Sequence, residues 1–346
     1  MIFRFPKLKT LAMAAACSVA LVAPPAAQAQ DKPVILKLSS WVPAQHALNP
    51  ALAAWAESLK KASGGSISAT FFPGEQLGKA FDHYDMARDG IADVAYVNPG
   101  YQPGRFPIFA AASLPFQVAN AKGGSAAVDA WYRAYAAKEM KDMQFCFAFV
   151  HDPGSLHSRK KVVLPGDIKN MKVRPATSTI GQMITTLGGT NVQASAPESR
   201  DMIERGVADA ITFPWGSLGL FGIDKVVTHH IDVALYVTPF VWVLNKDKYQ
   251  SLAPAQRKAV DEHCSTEWAE RIGTAWAEFE IAGRAKVAAL PGHDLVRLTP
   301  EQIDAWRKAV APVTDQWAND LKKTGADPKA VLDGLHLSLA RYKSAL

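Results

Sequence analysis

ISATFFPGEQLGKAFDHYDMARDGIADVAYV, residues 67–97, is the stretch that decides the fold class. Ile67 to Phe72 is a strand-like run stopped by the turn Pro73-Gly74. Phe81 to Arg88 carries apolar residues at helical spacing and halts at Gly90, after which Ala92 to Val97 is a second short apolar run. Upstream, Val34 to Ser39 reads as a strand, and Leu48 to Ala62 as a helix ending at Ser63-Gly64-Gly65. The order β-α-β-α-β predicts a mostly parallel sheet with helices packed on it.

The pattern then restarts. Phe145 to Val150 and Lys172 to Arg174 read as strands, Thr179 to Leu187 as a helix stopped by Gly188-Gly189, and Asn191 to Gln193 as a strand. A helix from Pro197 to Arg205 stops at Gly206, and Ala208 to Thr212 and Phe240 to Leu244 follow as strands. Pro254 opens a long helical pattern with Val260, Cys264, Trp268, Ile272, Trp276 and Phe279 on one side. Continuous to about residue 290, that helix would measure roughly 55 Å at 1.5 Å per residue, enough to bridge two α/β units. Thr299 with Gln302 has capping-box spacing and begins the C-terminal helices around Trp306 and Trp317.

Composition narrows the class. The chain has 346 residues, 49% hydrophobic and 20% charged, which is globular and fits about two domains. Its net charge is +6, no basic run reaches five residues, and the cluster Arg159, Lys160 and Lys161 has no interleaved aromatics, so nucleic acid is not an expected partner. Residues 1–29 read as a secretory signal: Arg4, Lys7 and Lys9 are basic, Leu11 to Val22 is apolar, and Ala27-Gln28-Ala29 has the form of a cleavage site. The mature protein then starts at Gln30 or Asp31, with net charge reduced to about +3, and is expected in the periplasm. A lipid anchor on Cys17 is disfavoured, because Ala14-Ala15-Ala16 precede it without an upstream Leu. Of the mature cysteines, Cys146 lies in an apolar strand, and the sequence favours two buried free thiols over a disulfide with Cys264.

Catalytic constellations are thin. There is no GxGxxG, and Gly74 to Lys79 lacks P-loop spacing. Ser217 follows Gly216, but Trp215 stands where a nucleophile elbow needs Gly. His151 and His157 are six apart and His229 and His230 adjacent, neither being the i, i+4 pair of a helical zinc site. No metal or cofactor is expected, and the chain does not read as an enzyme.

Several segments carry a family resemblance: Trp41 to His46, Gly64-Gly65, Phe72-Pro73-Gly74-Glu75-Gln76-Leu77-Gly78, Leu114-Pro115-Phe116, Asp167 to Arg174, Gly206-Val207-Ala208-Asp209, and Asn245 to Tyr249. Together and in this order they resemble the extracytoplasmic solute receptors of TRAP (tripartite ATP-independent periplasmic) transporters. The resemblance implies an α/β, two-lobed periplasmic binding fold with mixed sheets, hinge strands and a long interdomain helix. It further implies a receptor that closes on a small organic acid and delivers it to membrane permease subunits. The lobes would comprise 31–151 plus 240–279 and 152–239 plus 280–346, with a helix of about 254–290 shared, in a monomer.

Arg174 falls on the family's carboxylate-binding position, where a planar guanidinium offers two parallel donors. After Asp209, sugar-acid binders of the family present polar residues; this chain has Phe213 and Trp215, which favours an aromatic or apolar monocarboxylate. Strand ends supply Trp41, His46, Tyr96, Asn98 and Tyr101 as further wall candidates, with Phe116 more remote. Ser155 and His157 stand where some members place a second arginine, and Phe240 and Trp242 lie near the return crossing. The absent arginine disfavours a dicarboxylate. Alternatives are a receptor reporting to a membrane sensor kinase, a dicarboxylate or sugar-acid binder, and a secreted enzyme with His151 or His157 as general base.

Overall fold

A computed structural model describes residues 1–4 and 31–346, so the signal segment lies outside the described residues apart from its first four. Asp31–Leu346 form one unit containing two sheets. The first sheet is built from β1 (Val34–Ser39), β2 (Ile67–Phe72), β3 (Val94–Val97) and β4 (Met143–Val150). The second begins with β5 (Ser155–Ser158), β6 (Lys172–Arg174), β7 (Thr190–Asn191), β8 (Ala210–Phe213) and β9 (His229–Ile231). The chain then returns to the first sheet as β10 (Pro239–Asn245) and later gives β11 (Asp294–Val296) to the second. The strand orders are β2-β1-β3-β10-β4 and β11-β9-β5-β8-β6-β7.

Both sheets are mixed. The parallel expectation holds for β2-β1-β3, but β10 runs antiparallel to both β3 and β4. The register explains why: Pro239 pairs with Val150, so the chain leaves the first sheet at the end of β4 and re-enters beside the same point. Two crossings side by side make a hinge, and every residue of β10 is buried, as a central strand covered on both faces requires. In the second sheet β5 is antiparallel to β8 and β9, while β6 is parallel to β7 and β8.

The long helix is interrupted. It forms as Pro254–His263 and Thr266–Ala288, broken at Cys264-Ser265, where the Ser265 hydroxyl caps the second segment by accepting from Trp268 N. At ~1.5 Å per residue the second segment is about 34 Å long. The break serves a covalent link: Cys146 of β4 and Cys264 are joined in a disulfide, which corrects the expectation of free thiols. Its half-cystines are 118 residues apart, a closure that stabilises by about 5 kcal/mol in the chain-entropy account.

One major element has no counterpart in the sequence reading. Ala121–Glu139 is a helix of 19 residues, masked by Gly123, Gly124 and weak amphipathic contrast. The C-terminal helix Pro328–Arg341 packs on it, with Trp131 Nε1 donating to Val331 O at 3.0 Å. A second contact matters for the site. A Cβ on Gly283 would fall 2.0 Å from the Gly216 Cα, so the helix Thr266–Ala288 meets the short helix Trp215–Leu220 backbone to backbone. That approach brings Glu280 beneath the short helix's first turn.

Candidate functional site

Trp41, Asn98, Arg174 and Phe213 all stand at or just past the C-terminal ends of β1, β3, β6 and β8, the edge where open α/β sheets take ligands. They face one cleft. Its walls form a closed belt. From Tyr101, ring centroids run to Trp41 at 6.1 Å, Phe240 at 6.3 Å, Trp276 at 5.2 Å and His46 at 5.2 Å. From His46 the belt continues to Phe221 at 6.4 Å and Phe213 at 5.4 Å. The Arg174 guanidinium closes it, 5.8 Å from the Phe213 ring and 6.0 Å from the Tyr101 ring.

Arg174 is 1% exposed, yet among the described residues no carboxylate lies within ion-pair distance. Its Nε donates to Ala194 O at 2.9 Å and its Nη2 to the Tyr101 hydroxyl at 3.0 Å, leaving Nη1 without a partner among those residues. The Tyr101 oxygen also accepts from Ala196 N at 2.9 Å, so its own proton remains to be donated. The nearby Glu198 carboxylate is engaged by the Ser195 amide and hydroxyl, which hold it below the usual range. A buried cation without a counter-charge is costly, and two unspent donors beside it match the two oxygens of a ligand carboxylate.

The opposite side of the belt carries no cation among the described residues. His46 Nδ1 accepts from Leu48 N at 3.1 Å, which puts the ring proton on Nε2, and burial lowers its pKa to about 3. Nε2 lies 3.3 Å from Ser217 Oγ, and Ser217 Oγ donates to Glu280 Oε1 at 2.6 Å. Glu280 also accepts from Trp276 Nε1 at 2.6 Å, Ser217 N at 3.2 Å and Gly216 N. Burial pushes its carboxyl up to about 7, against those four donors. His151 lines the cleft too, but it is fully occupied: Nδ1 donates to Asp152 O and Nε2 accepts from Thr238 N.

The cleft gathers Arg174, Phe213, Trp41, His46, Asn98, Tyr101 and Phe240 from the sequence candidates, and Asn98 reaches across to donate to Ala176 O. The others lie elsewhere. Tyr96 sits behind Trp41, stacked at 4.9 Å, with its hydroxyl unpartnered. Trp242 is two residues deeper in β10 than Phe240 and packs edge-on against Trp55. Trp215 turns to a separate cleft with Asp232 and Arg284. Ser155 Oγ bonds Ile231 O, so the hydroxyl is spent within the sheet. His157 spends both nitrogens, Nε2 on Phe213 O and Nδ1 on His230, whose Nε2 in turn meets His293 Nδ1 at 2.9 Å. The sequence reading did not find Phe221, Trp276, Ser217 or Glu280 as site residues. Trp276 was visible only as helix packing and Ser217 only as a failed nucleophile elbow.

Comparison with known proteins identifies the family and fold. A benzoate-bound TRAP solute-binding protein from Rhodoferax ferrireducens is 27% identical, with a TM-score of 0.85 over 89% of this chain and 98% of that one. A marine-metagenome receptor specific for aromatic acid ligands, holding 3-hydroxybenzoate, is 29% identical, with a TM-score of 0.84 over 90% and 99%. One from Bordetella bronchiseptica, holding (R)- and (S)-mandelate, is 28% identical, with a TM-score of 0.83 over 89% and 99%. The family profile of bacterial extracellular solute-binding proteins, family 7, matches residues 38–320, so the chain belongs to that family and is a solute receptor of the TRAP class.

Proposed function

We propose that this receptor captures an aromatic monocarboxylate, with Arg174 and Tyr101 taking the carboxylate and the ring belt enclosing the body. One observation carries the reading: a buried arginine without a counter-charge is set into a belt of aromatic rings. Sugar acids need several hydrogen-bonding walls, and a dicarboxylate needs a second cation; among the described residues lining the cleft, Arg174 is the sole one of Lys or Arg type. That three relatives hold benzoate, 3-hydroxybenzoate and mandelate supports the choice. Capture proceeds by hinge closure of 31–151 plus 240–279 on 152–239 plus 280–346, after which the closed form hands its ligand to a membrane permease. The chain acts as a binding protein without turnover, as a monomer exported by residues 1–29.

A thermal-shift panel on residues 31–346 tests this. Ligand in hundredfold excess over Kd stabilises by about 2.7 kcal/mol, so benzoates, phenylacetates or mandelate should raise the melting temperature clearly. Shifts from sugar acids or dicarboxylates alone would contradict the reading.

A further inference from the structure

Resting on the aromatic-acid reading, the structure also specifies what the ring carries. We infer that the cognate acid bears a hydroxyl on the side of its ring away from the carboxylate, held by His46 as donor and Ser217 as acceptor, with Glu280 as the positioning residue that sets Ser217's proton. The belt places this pair opposite the anchor: along one wall the order is Arg174, Phe213, Phe221, His46.

Beyond its fixed partner each group has one hydrogen-bonding face, and in the ligand-free fold the two faces meet each other. His46 spends its lone pair on the Leu48 amide, so toward the cleft it presents only an N–H. Ser217 spends its proton on Glu280, so toward the cleft it presents only a lone pair. Glu280 receives four donors and, when ionised, has no proton to return, which fixes the direction of the Ser217 hydroxyl. The backbone contact between Gly216 and Gly283 locks that carboxylate in place. The contact between His46 and Ser217, at 3.3 Å, is long. A donor beside an acceptor is the complement of a hydroxyl, which would replace that one long bond by two shorter ones.

Titration calorimetry at pH 8 with benzoate, phenylacetate and their 2-, 3- and 4-hydroxy derivatives tests the inference. The best hydroxylated isomer should bind at least about tenfold tighter than its unsubstituted parent, the sum of two modest buried hydrogen bonds. In Ser217→Ala and in Glu280→Gln that ratio should fall below about threefold, whereas Phe221→Leu should weaken parent and derivative alike and keep it. Should Glu280→Gln not fold, Ser217→Ala carries the test alone. A wild-type preference under threefold for every isomer, or one that survives Ser217→Ala, overturns the inference while leaving the aromatic reading intact. If none of these acids binds, the aromatic reading itself fails, and the inference with it.

Discussion

The two most buried charged groups around the cleft are solved in opposite ways. Arg174 keeps a positive charge with no carboxylate within ion-pair distance among the described residues and one nitrogen unspent, while Glu280 is surrounded by four donors. Both are 1% exposed, so burial does not distinguish them. What differs is completeness. Under the proposed function the incomplete group at the cleft takes its partner from the ligand, and the saturated one orients its neighbours.

The largest effect that would sharpen this contrast is acid. Burial lowers His46 to about 3, His151 and His157 to about 4, and His230 to about 2, its histidine neighbours adding to burial in the last case. Below the ordinary value of 6.5 the unfolded chain takes up these protons and the native one does not. Each histidine therefore removes up to about 1.4 kcal/mol of stability per pH unit as pH falls toward its native value. Glu280 opposes them, since with a native pKa of about 7 it binds its proton earlier than the unfolded carboxyl and gains stability as pH drops from 7 to 4.5. His83 joins these histidines, and the buried Asp129, Glu139 and Asp152, their carboxyls raised, join Glu280, but ordinary carboxyls titrate near 4, so between about pH 6.5 and 5 the histidines prevail. Denaturant melts at pH 7.5, 6 and 5 should show stability falling steeply, and a flat profile would show that these rings are protonated in the fold.

Next in size is Glu280→Ala. Orphaning the Gly216 and Ser217 amides and the Trp276 indole N–H, offset by relief of a buried carboxyl, should cost about 3–5 kcal/mol of stability by urea unfolding. A loss below about 1 kcal/mol would mean that the carboxylate is not the organiser of that end.

How much of this was legible beforehand differs between elements. Strands β1, β2 and β10 declared themselves by apolar runs beside Pro or Gly, whereas Arg174, at the end of the short strand Lys172–Arg174, stood out only through the family resemblance. The short strands β5, β9 and β11 did not, because their polar residues are satisfied sideways: Ser155 by Ile231 O, and His157 and His230 by each other. His157, a candidate in the sequence because it stands where some members place a second arginine, is a sheet cross-link in the fold. Trp215 and Phe213, two residues apart, were read together, but β8 ends at Phe213 and the turn into the next helix sends Trp215 to the other side of Glu280. The Glu280 end was illegible because its partners Gly216 and Ser217 are 64 and 63 residues away in the chain and meet it where Gly216 contacts Gly283.

Arg174→Ala, read for affinity and stability on the same sample, tests the central claim most directly. With the acid that gives the largest thermal shift, calorimetry should show a loss of about 2–5 kcal/mol, roughly thirtyfold to several thousandfold. The ligand-free melting temperature should move by less than ~3 °C, because an uncompensated buried charge leaves with the side chain. An affinity loss under about threefold, or a melting temperature that collapses with the affinity, would contradict the account and make Arg174 a structural residue.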